Sequence, residues 1–214
     1  KERGETLMCQ PPDWSLGDKY LRENAPELKA IVDKYSPCVR KPKAEEQYFR
    51  ILLSGIIAQQ LPPEVSEQLM KKLDELVGLP VKPEVVLNPS DEALCDIGIS
   101  AQKVGYLKGF AKAIVDGSID FGKFPEMTDS QITKQLLQVR GLGQWTIEMF
   151  FLLGLCRTDV SPSADFIFKK QLQALFKLNE IPKRGQINKL TEHWRPWRSL
   201  AVWYLWLNAS ETNN

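Results

Sequence analysis

Histidine is nearly missing from this 214-residue chain, which has only His193, and its four cysteines (Cys9, Cys38, Cys95 and Cys156) form no CxxC pair. Zinc and iron–sulfur sites need closely spaced imidazole or thiolate ligands, so neither is expected. Thiols scattered in this way read as free cysteines in a reducing compartment, not as a disulfide framework. Long apolar runs are lacking too. The longest, Met149–Cys156 and Leu200–Leu207, fall far short of the roughly 20 residues a membrane helix requires. No signal peptide is visible, and the first residue is Lys1 rather than methionine, so localisation is only weakly constrained. Sustained alternation of apolar and polar residues, the mark of half-buried strands, is also absent. The net charge of +1 gives no overall pull toward a polyanion.

What the sequence does have is helical periodicity and enough apolar residues, 43%, to bury a sizeable core. The pattern predicts helices over 15–35, 44–60, 63–77, 90–97, 101–116, 129–139, 144–155, 164–176, 186–194 and 197–208. Ser90, Ser100 and Thr128 stand where N-caps belong, while Gly78, Gly117 and Pro182 follow runs they would end. Residues 36–43 and 117–127 read as connections. An all-α fold is expected. Charge is unevenly spread: between Phe166 and Arg198 eight basic residues (Lys169, Lys170, Lys177, Lys183, Arg184, Lys189, Arg195 and Arg198) face only Glu180 and Glu192. Such a segment can meet phosphates or can simply be a set of solvated helix faces.

The most informative stretch is Leu136-Leu-Gln-Val-Arg-Gly-Leu-Gly-Gln-Trp-Thr-Ile-Glu-Met-Phe-Phe. An amphipathic helix runs into Gly141-Leu142-Gly143, and a second helix starts at once. Glycines permit a turn closed to other residues and let backbone amides approach a phosphate oxygen at the positive end of the second helix. Gly141, Leu142, Gly143, Gln144 and Thr146 are therefore candidate nucleic-acid contacts that would hold a strand without reading its sequence. Taken alone, a GxG is equally an ordinary tight connection between antiparallel helices.

Val139-Arg-Gly-Leu-Gly-Gln-Trp-Thr resembles the signature of the helix-hairpin-helix DNA glycosylase superfamily, named for its hairpin, its Gly/Pro-rich loop and an aspartate. The loop and acid are matched by Asp159-Val-Ser-Pro-Ser-Ala-Asp165-Phe. Gly98-Ile-Ser-Ala-Gln-Lys and Ile57-Ala-Gln-Gln-Leu are similar to further family segments, and Trp194-Arg-Pro-Trp-Arg-Ser-Leu-Ala-Val-Trp-Tyr-Leu-Trp resembles the end of the 3-methyladenine DNA glycosylase II branch. The resemblance runs over roughly residues 15–208. It implies two helical subdomains flanking a DNA-binding cleft: 42–157, with the hairpin at about 129–156, and 1–41 together with 158–214.

The resemblance also assigns roles. Asp165 is the expected catalytic carboxylate, in preference to Asp159, whose place in the loop suits capping or turning the backbone. Trp145 stands where lyase-type relatives carry a Schiff-base lysine; an indole forms no imine, so water is the expected nucleophile and an abasic site the product. Trp145, Trp206 and Met149 are the expected base-pocket residues, Gln60 and Leu61 the wedge that fills the gap left by an everted nucleotide, and Lys169 and Lys170 the phosphate contacts. The implied partner is duplex DNA carrying alkylated bases, met by a monomer, in the nucleoid of a prokaryote or the nucleus of a eukaryote. No redox or organic cofactor is implied, although hairpin carbonyls in relatives hold a monovalent cation. Ile147, where relatives keep a small residue, leaves the lesion range open. So do the alternatives: a glycosylase for other damaged bases, a non-catalytic DNA-binding module, or an all-α interaction protein without DNA affinity.

Overall fold

A computed structural model describes residues 11–212, and those residues contain helices and no strand. Two compact units are present, one formed by Lys43–Phe150 and the other by residues 11–42 with 151–212. The expected subdomain borders were 41/42 and 157/158; the second border of the structure lies at residue 150, inside a helix.

The first unit is built around α3 (Tyr48–Ala58), which has apolar residues on nearly every face and buries Tyr48, Phe49, Leu52, Leu53, Ile56 and Ile57. α4 (Pro63–Val77) and α7 (Ala101–Val115) pack against it. α5 (Pro83–Leu87) and α6 (Asp91–Asp96) lie beside α7. α8 (Asp129–Leu136) and α9 (Gln144–Leu153) follow. Ser90 and Ser100 cap α6 and α7, and Thr128 forms a reciprocal capping box with Gln131, as the sequence predicts. Two aromatic groups seal the core: Phe49 stacks on Phe110, and Tyr48, Phe121, Phe124 and Phe150 meet edge to face. Phe121 and Phe124 belong to a 3-10 segment, Phe121–Glu126, inside the stretch read as a plain connection. α5 was not foreseen; it is short and starts on a proline, whose fixed φ suits a first helical turn.

The second unit comprises α1 (Trp14–Asn24), α2 (Lys29–Tyr35), α10 (Phe166–Leu175), α11 (Arg184–Leu190) and α12 (Arg198–Thr212). The single helix expected over 15–35 is two. Pro26 lacks an N–H and drives Ala25 out of the helical region (φ −130°, ψ 72°), so α1 stops and a 3-10 turn, Pro26–Leu28, leads into α2. α12 is the spine of this unit, burying Leu200, Ala201, Val202, Tyr204 and Leu205. α1 crosses close to it at Gly17, where a Cβ would lie 2.7 Å from Leu200 and Trp197. Two polar pairs lie in this core: Tyr204 donates to Asp18 at 2.6 Å, and the Trp194 indole donates to Glu27 at 2.7 Å.

Candidate functional site

The turn between α8 and α9 needs its first glycine twice over. Gly141 sits at φ +98°, in the left-handed region, and a Cβ there would fall 2.4 Å from the Tyr106 ring. Gly143 differs: it is exposed, with nothing among the described residues within 4 Å of where a Cβ would stand, so packing there does not demand it. Its bareness leaves the start of α9 open. The N–H groups of Gly143, Gln144 and Trp145 have no acceptor among the described residues, and these residues line a shallow depression of about 360 Å³ with Gln59, Tyr106, Gly141, Leu142 and Thr146. The hairpin thus offers chiefly backbone, together with the exposed Gln144, whose amide donates to Glu148 at 3.1 Å. Leu142 and Thr146 point inward, 4% and 1% exposed, so their side chains are not available to a strand. Met149 and Ile147 are buried in α9, whereas Trp145 is half-buried at the depression.

Gln59 binds this hairpin to the end of α3, and Lys103 of α7 holds that end from another side; neither role is read from the sequence. The Gln59 amide nitrogen donates to the Gly141 carbonyl at 2.8 Å and to the Thr146 hydroxyl at 3.1 Å. The Lys103 ammonium donates to the carbonyls of Ile57 and Gln59 at 2.6 and 2.8 Å, and burial holds its pKa below the usual lysine value. Gln60 follows, exposed and at φ +58°, and then half-buried Leu61. The only sequence signal for Lys103 was its place in the Gly98-to-Lys103 helix opening. Gln59 had only its place in the Ile57-to-Leu61 segment, because its role depends on folding bringing residue 59 beside residue 141.

The loop from α9 to α10 belongs to the second unit, where it is pinned to the start of α12. Val160 N–H donates to the Ser199 hydroxyl at 2.8 Å, and Ser199 N–H donates to the Thr158 carbonyl at 3.0 Å. The Asp159 carboxylate takes Arg195 at 2.6 Å and Arg198 at 2.5 Å. Asp159 is thus a doubly ion-paired anchor rather than the turn-capping residue expected. The same pairs tie up two of the eight basic side chains, and the one carboxylate cancels one of their charges.

Asp165 closes the loop as the N-cap of α10, which therefore begins one residue later, at Phe166. Its Oδ1 accepts the Phe168 N–H at 2.7 Å and the Trp206 indole N–H at 3.1 Å. Oδ2 has no protein partner among the described residues, and Asp165 is half-buried while Phe166 after it is exposed. Trp206, expected only as a pocket wall, thus also fixes the carboxylate. It meets Trp203 at 6.5 Å and 76°, and the Arg40 guanidinium lies 4.5 Å over the Trp203 ring. Lys169 is half-buried and Lys170 exposed, its ammonium 5.8 Å from the Phe166 ring centre.

The model of the HhH-GPD superfamily of base excision DNA repair proteins matches residues 53–196, a span holding both the hairpin and Asp165. The chain belongs to that superfamily. Among curated HhH-GPD relatives, the alkylbase DNA glycosidase-like protein mag2 of Schizosaccharomyces pombe is 25% identical over 93% of this chain and 95% of its own length. DNA-3-methyladenine glycosylase 1 of the same organism is 28% identical over 87% of this chain and 82% of its own. The fold is that of a solved HhH-GPD structure, the S. pombe 3-methyladenine DNA glycosylase Mag1 in complex with abasic DNA. The two superpose with a TM-score of 0.82 at 24% identity, covering 89% of this chain and 95% of that one. The superfamily match and the curated relatives put the chain in the DNA glycosylase family, hydrolases of the N-glycosidic bond. No helix among the described residues is long and apolar enough to cross a membrane. Of the hairpin carbonyls considered for a monovalent cation, that of Gly141 accepts the Gln59 amide and that of Val139 accepts the Leu142 N–H.

Proposed function

We propose that this chain turns alkylated purines out of duplex DNA and hydrolyses their N-glycosidic bond, with 3-methyladenine and 7-methylguanine as substrates and an abasic site as product. One observation carries the reading: Asp165 has one oxygen fixed by two donors and the other without a protein partner among the described residues. Departure of the base builds positive charge on the sugar. A carboxylate already oriented beside the anomeric carbon stabilises that transition state more than the ground state, at no cost in reorganisation. Oδ2 is then the atom that faces the sugar or the attacking water. A purine alkylated at N3 or N7 is cationic before it leaves, so little leaving-group protonation is needed and one carboxylate suffices.

The remaining parts fall into supporting roles. The N–H groups of residues 143–145 take a phosphate oxygen at the start of α9. Gln60 and Leu61 fill the space the nucleotide vacates. Lys169 and Lys170 steer the damaged strand toward α10. Trp145 faces a cationic base with its ring, an attraction of about 0.5–2 kcal/mol, and its lack of an amine restricts the reaction to hydrolysis. The chain acts as a monomer. The test is methylated duplex incubated with the protein: free 3-methyladenine and 7-methylguanine are expected, with the strand intact until alkali cleaves it at the abasic site. Duplex binding with no base released would leave only a DNA-binding module.

A further inference from the structure

We infer that Gln59 and Lys103 are positioning residues that make the hairpin and the Gln60–Leu61 loop one body, so that the hairpin's grip on a strand sets how deeply the loop enters the duplex. The inference rests on the proposed reading of the hairpin as strand anchor and of residues 60–61 as wedge. Its own support is the bonding. Gly141 O can only accept, so the amide of Gln59 must present its nitrogen there, and its second N–H reaches Thr146 Oγ1. Both donors of one side chain are thereby used on the two ends of the hairpin turn. Thr146 has no freedom to retreat, because a Cβ on Gly55 of α3 would lie 2.5 Å from its methyl group.

From the other side, Lys103 of α7 takes the carbonyls of Ile57 and Gln59. Carbonyls in the last turn of a helix have no amide ahead of them, and a cation there is favoured by the helix dipole. Gln59 is thus held at its side chain by the hairpin and at its backbone by α7. The next residue, Gln60, is left in the left-handed region, a conformation a non-glycine residue keeps only when its surroundings impose it. A loop braced in this way does not yield when pressed against stacked bases. Without the brace the wedge and the anchor would give independently, and extrusion would suffer while strand binding survived.

The experiment uses the whole chain and two duplexes carrying 7-methylguanine, one paired with cytosine and one in an unpaired bulge that needs little extrusion. A third duplex places 2-aminopurine beside a stable abasic analogue, to report unstacking without chemistry. Since extrusion of a paired base costs a few kcal/mol, Gln59→Leu is expected to slow single-turnover release from the paired duplex about twentyfold and from the bulge less than about threefold. The 2-aminopurine signal should fall, with affinity for undamaged duplex within about twofold of wild type. Lys103→Met should act in the same direction. Gln59→Glu keeps the shape and loses the donor, so its defect should be large near about pH 8 and shrink toward about pH 5, as protonation restores an O–H to face Gly141 O. Equal slowing on both lesion duplexes, or an unchanged 2-aminopurine signal, overturns the inference. If wild type releases no base yet the 2-aminopurine signal is strong and lost in Gln59→Leu, the brace stands and the enzymatic reading falls.

Discussion

Two helices of this chain begin in opposite ways. α9 starts with the N–H groups of Gly143, Gln144 and Trp145 unclaimed among the described residues, beside a surface that Gly143 leaves bare. α10 starts with its N–H donor at Phe168 taken by the carboxylate of Asp165. An open helix start is an anion site waiting for a phosphate, whereas a capped one is a device for holding a carboxylate still. The same backbone physics thus yields a strand anchor in one unit and a candidate catalytic acid in the other. What distinguishes them is whether the residue before the first turn brings its own acceptor.

Substitutions can break either arrangement. Gly141→Ala should do the most damage, since it adds a Cβ against Tyr106 and forces an L-residue into a left-handed conformation. A loss of about 3 kcal/mol in urea unfolding is expected. Arg198→Met removes the less exposed of the two guanidiniums on Asp159 and should cost about 2 kcal/mol, with Arg195 retaining part of the pair. Trp206→Phe keeps a ring but loses the donor to Asp165 Oδ1; base release should slow about fivefold, the worth of one hydrogen bond, with stability nearly unchanged. Smallest is Gly143→Ala. It should leave stability within about 0.5 kcal/mol, because the added methyl meets nothing, yet weaken duplex binding about threefold by crowding the open amides.

Legibility from sequence followed the range of the interactions. Local signals were readable: the caps at Ser90, Ser100 and Thr128, the span of α4 from Pro63 to Val77, and the two-glycine turn were all set by neighbours within a few residues. The break at Pro26 was also written locally and was overridden in the reading by the apolar periodicity of 15–35. Asp165 was found through resemblance, but the helix expected over 164–176 placed it inside the first turn, whereas it stands before α10 as the cap. Its partner Trp206, 41 residues on, was foreseen as a ring but not as a hydrogen-bond donor. The brace at Gln59 and the clamp on Asp159 were hidden for the same reason: each joins residues 36 to 87 positions apart, where pattern along the chain carries no information.

The central claim is that Asp165 acts through its charge and not merely as a helix cap. Asparagine caps a helix start about as well as aspartate but carries no negative charge, so Asp165→Asn separates the two. Unfolding stability and single-turnover release of methylated bases should be measured on the same preparation. The expected result is stability within about 0.5 kcal/mol of wild type and release slowed by at least about a hundredfold. Release at the wild-type rate from an equally stable Asp165→Asn protein would contradict the account.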